Sequence, residues 1–203
     1  MTELEKCNAG LWYHTESTGL GIKHLIASDL CAKYNRIRPS NIKKRQHLLR
    51  RILGKMGVDC YIEPNLQCSY GFNFEVGDHF FANSNCFFMD DAKITFGDHV
   101  FIGPNCAFYT AQHPIHPVQR NRKIERALPI SVGNNVWFGG NCVVLPGVKI
   151  GSNTVIGAGS IVTKDIPDNV VAVGNPCRVL RSITDADLLN GEESLYSPHI
   201  SAI

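Results

Sequence analysis

The sequence lacks any uninterrupted apolar run long enough to span a membrane, and its start, MTELEKCNAG, has no positively charged segment followed by an apolar one. These absences argue against a transmembrane helix and a secretory signal. With 44% apolar and 19% charged residues over 203 positions, the composition is that of a folded globular protein. We therefore expect a cytoplasmic protein with no membrane partner, whose eight cysteines stay reduced.

Acidic residues are missing altogether between Leu30 and Val58, a stretch that holds nine Lys and Arg residues. The rest of the chain is acidic, with 11 basic and 18 acidic residues. Apolar residues recur at helical spacing inside the basic stretch, at Ile42, Leu48, Leu49, Ile52, Leu53 and Met56. The pattern predicts a helix with one apolar face and a solvated basic face, or alternatively a surface that attracts the phosphates of a ligand. No nucleic-acid motif lies beside it, so we expect no nucleic-acid partner.

A six-residue repeat organises most of the chain, and from Val132 it reads VGNNVW, FGGNCV, VLPGVK, IGSNTV, IGAGSI and VTKDIP. The first position of each unit is apolar and the fifth is apolar or small. The same rule gives, further upstream, Phe96, Ile102 and Phe108. Still further upstream the first positions are Pro64, Tyr70, Val76, Ala82 and Phe88, in a frame shifted by two residues from the one that contains Phe96. A small insertion near residues 90–95 accounts for the shift.

A period of six suits a short strand followed by a sharp bend. The fifth residue of one unit and the first of the next are two apart, so they face the same side of a strand. Gly, Asp, Asn and Ser crowd the intervening positions, where a bend needs unusual backbone angles. Three bends close a triangle and the coils stack by parallel pairing, which predicts a mainly β fold, a parallel β-helix of about five coils over residues 58–183.

The repeat also assigns structural roles to several residues with reactive side chains. Four cysteines fall at the small inward position, and we expect them to fill the core: Cys68, Cys86, Cys106 and Cys142. No Cys-x-x-Cys pair offers a zinc site. His79 and His99 both follow "GD" in the bend slot that Asn135 and Asn153 occupy elsewhere, so we expect them to be turn residues.

Two features do not fit a purely structural interpretation. Trp137 takes an outward position, which suggests that another subunit or a ligand covers it. The repeat also stops over residues 109–131, in a loop that contains TAQHPIHPVQR, and insertions in repeat proteins often carry the binding face. Within this loop His113 is a candidate general base, because a neutral imidazole in a cleft can accept a proton near pH 7. A histidine that only packs is the alternative.

From Asn8 to Arg181 the chain resembles the maltose/galactoside O-acetyltransferase group of the hexapeptide acyltransferase family. The matching stretches are YIEP, SYGFNFEVGDHFFANSN, DDAKITFGDHVFIGPN, TAQHPIHPV, PISVGNNVWFGG and GAGSIVTKDIPDNVVAVGNPCRVLR. The resemblance implies a left-handed β-helix, an N-terminal helical segment over residues 1–57, and a homotrimer with active sites in the clefts between prisms. It also implies acetyl transfer from acetyl-CoA to a sugar hydroxyl, typically the 6-hydroxyl of maltose, glucose or a galactoside, without a metal.

By position in the matching motifs, the resemblance makes His113 the general base that activates the sugar hydroxyl for direct attack on the thioester. It places the amide of Gly140 at the developing oxyanion. The residues that match acceptor-binding positions are Ser69, Asn83, Asp91 and Trp137. Those that match acetyl-CoA-binding positions are Gly140, Ala158, Thr163, Lys164, Arg178 and Arg181.

One stretch departs from the family pattern. The group often has an acidic residue in the N-terminal segment that touches the sugar, and the aligned stretch, LWYHTES, offers His14 or Glu16. The tail, residues 184–203, begins with a Thr184…Asp187 capping pattern, which predicts a short C-terminal helix. Three alternatives stay open: a non-sugar or xenobiotic acceptor, a β-helical zinc hydratase that needs three convergent imidazoles, and an inactive scaffold.

Overall fold

The computed structural model of the chain describes residues 1–188, and short strands stacked into a triangular prism dominate it. The helices are α1 (Glu3–Asn8), α2 (Gly21–Asn35), α3 (Ile42–Ile52) and α4 (Pro117–Arg120). We name the three prism faces the polar, aromatic and cavity faces. The polar face contains β2 (Lys55–Met56), β5 (Phe74–Val76), β8 (Ile94–Phe96), β13 (Ile130–Val132) and β16 (Lys149–Ile150). None of the described helices is both long and apolar enough to cross a bilayer.

The other two faces are built in the same way. The aromatic face contains β3 (Tyr61–Ile62), β6 (Phe81–Ala82), β9 (Phe101–Ile102), β14 (Trp137–Phe138), β17 (Val155–Ile156) and β19 (Val170–Val173), with β20 (Arg178–Ser182) added antiparallel at its end. The cavity face contains β4 (Gln67–Cys68), β7 (Phe87–Met89), β10 (Ala107–Tyr109), β15 (Val143–Val144) and β18 (Ile161–Val162). Within each face the stacked strands pair in parallel, which confirms the predicted parallel β-helix.

The bends have the backbone that the repeat predicts. His79 and His99 adopt φ values of 56° and 55°, and Asn135 and Asn153 adopt 56° and 54°. These left-handed conformations suit Asn and, less often, His at a corner. The two imidazoles stack with their centroids 4.6 Å apart. The prediction that both are turn residues is therefore confirmed.

The phase assigned to the first coil is wrong by two residues. The buried inward positions there are Ile62 and Cys68, and Pro64 and Tyr70 lie at corners instead. The reason is that the early coils contain 20 residues, as the spacing of stacked corner contacts shows, whereas the coil from Asn135 to Asn153 contains 18 and the last contains 16. The insertion near residues 90–95 therefore has an earlier counterpart beside Tyr70. All four cysteines expected in the core are buried, as predicted.

The basic helix is α3, and it ends before Leu53 and Met56. Its residues Leu48, Leu49 and Ile52 are buried, as predicted, but its basic face is not wholly solvated. Arg45 is fully buried, and its guanidinium donates hydrogen bonds of 2.7 Å to the Tyr34 hydroxyl and 2.6 Å to the Ile62 carbonyl. The guanidinium also lies 4.3 Å from the Tyr34 ring centroid, so it joins α2, α3 and the first coil.

The inserted loop has secondary structure of its own. It contains β11 (Ala111–Gln112), α4 and β12 (Ile124–Ala127), and β12 pairs antiparallel with both β11 and β1 (Tyr13–His14) of the N-terminal segment. The tail begins with the predicted Thr184–Asp187 capping box, but the predicted helix is only a 3-10 turn over Asp185–Asp187. The remainder of the tail, residues 189–203, lies outside the described residues.

The outward side chains differ sharply between the three faces. On the aromatic face they form one paired column of apolar residues: Tyr61, Phe81, Phe101, Trp137, Val155 and Val171. On the cavity face the column is Gln67, Phe87, Ala107, Val143 and Ile161. On the polar face it is Lys55, Glu75, Thr95, Ser131 and Lys149. Two faces are thus largely apolar on the outside and one is hydrophilic.

Candidate active site

A cavity of about 580 Å³ lies where the strands of the cavity face end, beneath the inserted loop. Its apolar wall comes from Met89, Tyr109, Leu145 and Pro146. Its polar lining consists of His24, Ser69, Asp91, Gln112, His113 and Glu125. No Lys or Arg is among the described residues that line it, so the cavity is acidic apart from its histidines.

Ser69 and Asp91 lie in this cavity because each belongs to a corner of an early coil that contains two extra residues. Asp90 is fully buried, and its carboxylate accepts hydrogen bonds from the backbone N–H groups of Tyr70 (2.7 Å) and Asn73 (3.1 Å). This bracing fixes the corner, and Asp91 next to it accepts a 3.0 Å hydrogen bond from the Ser69 hydroxyl. Burial, and then the neighbouring charge of Glu125, raise the pKa of Asp91.

His113 follows β11 at the edge of the cavity, with its side chain 51% exposed. Its Nδ1 lies 3.0 Å from the carbonyl oxygen of Ile124 in β12. Because a carbonyl oxygen can only accept, Nδ1 carries the proton of the neutral ring, and the lone pair is on Nε2. The loop therefore presents an imidazole nitrogen that is able to accept a proton.

Three polar cavity residues, His24, Gln112 and Glu125, were not predicted from the sequence. Glu125 places Oε2 3.7 Å from Nε2 of His113, and its side chain is 12% exposed. His24 of α2 donates from Nδ1 to the carbonyl oxygen of Ser69 over 2.9 Å. Glu125 lies where the hexapeptide period stops, and His24 lies outside the repeat, so the period offered no signal for either of them.

Comparison with known proteins decides which family this is. Residues 6–57 match the maltose acetyltransferase hexapeptide capping motif, and residues 129–164 match the bacterial transferase hexapeptide of six repeats. The galactoside O-acetyltransferase of Escherichia coli is 43% identical over 187 residues, which are 92% of this chain and 92% of that protein. The crystal structure of a maltose O-acetyltransferase from Clostridium difficile has 45% identity and a TM-score of 0.89, over 91% of this chain and 99% of that one.

The chain belongs to the maltose/galactoside O-acetyltransferase group of the hexapeptide acyltransferases. Its β-helix is left-handed, as the resemblance implied. A related hexapeptide-repeat acetyltransferase from Vibrio cholerae, 36% identical with a TM-score of 0.84 over 91% of this chain and 100% of that one, has been solved in complex with acetyl coenzyme A.

The acetyltransferase separates its predicted site residues onto two edges of the prism. Ser69, Asp91 and His113 line the cavity, at the edge where strands of the cavity face end. Thr163 and Lys164 follow β18 at that same edge, one coil beyond Leu145. The aromatic face carries the others in a separate column, with Asn83, Trp137, Gly140 and Ala158 in or just after β6, β14 and β17.

Neighbouring coils of the acetyltransferase approach each other closely at the second edge. A Cβ on Gly139 would lie 2.5 Å from the Ala158 nitrogen, so only glycine fits at this bend. The N–H of Gly140 makes no hydrogen bond within residues 1–188 and is available as a donor. Arg181 forms a two-point ion pair with Asp187 (2.7 and 2.8 Å), which lowers the Asp187 pKa to about 2.

The arrangement of histidines does not favour the zinc hydratase alternative. Within residues 1–188 no group of three or more His, Cys, Asp or Glu side chains is placed to hold a metal ion. His79 and His99 stack on each other at corners of the prism. His14 and Glu16 occupy the position where the family often has an acidic residue that touches the sugar. Neither lines the cavity; they contact the loop instead, at Arg122 and Lys123.

Proposed function

We propose that this acetyltransferase moves the acetyl group of acetyl-CoA to a sugar hydroxyl, the 6-hydroxyl of maltose, glucose or a galactoside, with His113 as general base. The observation that carries the proposal is the 3.0 Å contact between Nδ1 of His113 and the Ile124 carbonyl, which leaves Nε2 as the acceptor nitrogen of the neutral ring, in a cavity that also holds Ser69 and Asp91. Short hydroxyl and carboxylate groups suit the hydroxyls of a sugar. The family's acetyl donor is acetyl-CoA, and all eight cysteines are free thiols, which suits the cytoplasm.

In this mechanism Nε2 of His113 takes the proton of the sugar hydroxyl as its oxygen attacks the thioester carbon. The negative charge that develops on the carbonyl oxygen is stabilised by the free N–H of Gly140. The tetrahedral intermediate collapses by breaking the carbon–sulfur bond, and the imidazolium returns its proton to the departing CoA sulfur. No acetyl-enzyme forms, in agreement with cysteines that are all buried.

The proposal requires more than one copy of the chain, because Gly140 and His113 lie on different edges of the prism. Phe101 and Trp137 of the aromatic face are 50% and 54% exposed, and the cavity face is also largely apolar. Contact between the aromatic face of one copy and the cavity face of the next buries both and repeats around a ring. The family resemblance implies that three copies close it.

Such a ring creates a cleft with a wall from each copy. One wall carries His113, Ser69, Asp91 and, further along, Thr163 and Lys164; the other carries Asn83, Trp137, Gly140 and Ala158 of the neighbouring copy. Acetyl-CoA lies along this cleft, with its pantetheine arm against the small residues. Lys164, Arg178 and Arg181 then bind its phosphates, and for Arg181 the phosphate replaces Asp187.

Acetyl-CoA-dependent activity without a metal is the first expected result. Thiol release from acetyl-CoA is followed with maltose, glucose, galactosides, amino alcohols and xenobiotics as acceptors, before and after exhaustive chelation. We expect activity with sugars that chelation leaves unchanged, because every step above uses protein groups alone. Loss of activity on chelation with recovery on added zinc contradicts the proposal. A non-sugar acceptor that is far better than any sugar contradicts only the acceptor assignment.

The charge of the cavity predicts which acceptors are used. Asp91 and Glu125 both line it, and no Lys or Arg does so among the described residues. A neutral sugar donates a hydroxyl hydrogen to Asp91, whereas an anionic sugar brings a third negative charge next to Asp91 and Glu125. We expect galacturonate or glucose 1-phosphate to have a kcat/KM at least about tenfold below that of the parent sugar. Equal kcat/KM values for neutral and anionic sugars would show that the acceptor binds elsewhere.

A further inference from the structure

The N-terminal stretch that departs from the family pattern lies against the inserted loop. Strand β1 pairs antiparallel with β12, and the register sets Tyr13 directly opposite Glu125. Tyr13 is buried, and its hydroxyl donates a hydrogen bond to Oε1 of Glu125. Burial and this hydrogen bond raise the pKa of Tyr13, so the phenol stays protonated and remains a donor. The N-terminal segment therefore holds a carboxylate of the loop in place.

Two further contacts fix the same part of the loop. Nδ1 of His14 lies 3.2 Å from the carbonyl oxygen of Arg122, and Glu16 forms an ion pair with Lys123. The N-terminal segment thus holds both the turn at Arg122 and Lys123 and the strand that follows it at Glu125. Tyr13, His14 and Glu16 of LWYHTES thus each have a partner in the loop and need not touch the acceptor.

The loop strand supplies both partners of the candidate base. The carbonyl of Ile124 accepts from Nδ1 of His113 over 3.0 Å, and Oε2 of the adjacent Glu125 lies 3.7 Å from Nε2. Because the Glu125 side chain is only 12% exposed, water screens its charge less than it would on an open surface. A positive charge formed on the imidazole would appear next to a carboxylate that is already in place.

We propose that Glu125 is a positioning residue for the acetyl transfer, and that Tyr13 holds its carboxylate in the active orientation. When the proton of the hydroxyl moves to Nε2, the imidazolium is stabilised by Glu125, and the stabilisation ends when the proton passes to the CoA sulfur. This inference rests on the proposed function, because it assumes that His113 is the base. It assigns a chemical role to the N-terminal capping segment in addition to closing the prism.

The test begins with two single variants assayed at saturating acetyl-CoA. We expect Glu125→Gln to lower kcat about tenfold to a hundredfold, with KM values for sugar and acetyl-CoA changed less than about twofold, because the charge acts in the transition state. Tyr13→Phe should lower kcat about fivefold, since it removes one hydrogen bond to a charged group. Tyr34→Phe is the matched control: it also loses a buried phenol hydrogen bond, to Ile62, and should keep the wild-type kcat.

Double variants separate a role through His113 from a general loss of structure. Tyr13→Phe should lower kcat no further when Glu125→Gln is already present, and Glu125→Gln should lower kcat no further when His113→Ala is already present. A wild-type kcat for Glu125→Gln, a loss confined to the KM for sugar, or additive losses in either background overturns the inference. Failure of the proposed function gives a different result, namely His113→Ala with wild-type turnover, whereas failure of this inference alone leaves His113→Ala inactive.

Discussion

Replacing His113 with alanine should reduce turnover by about 10²–10⁴-fold, the range for loss of a positioned general base. The binding of acetyl-CoA should be almost unchanged, because the donor is assigned to Lys164, Arg178, Arg181 and the corners of the later coils. Steady-state kinetics gives kcat, and titration calorimetry with CoA gives the affinity of each variant for the donor. Together they distinguish a loss of chemistry from a loss of binding.

His116→Ala is the matched control, because His116 lies in the same loop and is also followed by a proline. Its position precedes α4, its side chain is exposed, and it does not line the cavity. We expect His116→Ala to keep turnover within about twofold of the wild type, as is usual for surface substitutions. If His116→Ala is the inactive variant and His113→Ala is active, the base has been assigned to the wrong histidine.

A charge in the middle of the aromatic face should separate the copies and abolish activity. Phe101→Glu places a carboxylate between Phe81 and Trp137, on a face that we assign to contact between copies. We expect a species of the chain mass, 22.4 kDa, in place of one three times heavier, by sedimentation velocity. We also expect kcat/KM to fall by about 10²-fold or more, because Gly140 and His113 then no longer share a cleft.

Thr95→Glu is the control for this variant, because Thr95 occupies the corresponding outward position of the polar face in the same stack of coils. The substitution adds the same charge to a face that already carries Lys55, Glu75 and Lys149. Assembly and activity should stay at the wild-type level. A Phe101→Glu variant that remains assembled and active would place the interface on another surface.

The prism could be predicted from the sequence because its rules are local. Many bends use a residue in the left-handed conformation and each coil needs inward apolar positions, so the period of six is visible in the sequence itself. The same reasoning explains the error in the first coil. Gly71 and the buried Asp90 make wide corners that add two residues, and a buried acid that binds backbone N–H groups looks no different in sequence from an exposed one.

The site was less predictable because it depends on contacts between distant segments. His113 was found since a histidine interrupts a regular repeat in a recognisable motif. Glu125 and Tyr13 are 112 positions apart, and they meet only because β1 pairs with β12. Arg45 was misjudged for the same reason, since its partners Tyr34 and Ile62 come from a helix and a strand outside α3. No periodic pattern records such pairings.

The inserted loop adds no defect to the stack that carries it. Trp137 pairs in register with Phe101, and the Asp98 N–H donates to the side chain of Asn134 across a separation of 36 residues, twice the spacing of a later coil. The strands before and after the loop therefore pair in the same parallel register as the other strands of the stack. His113 and Glu125 are consequently carried by an element that does not interrupt the stack. A loop of another length or composition can occupy the same position, so the groups around His113 can change while the solenoid keeps its hydrogen bonds.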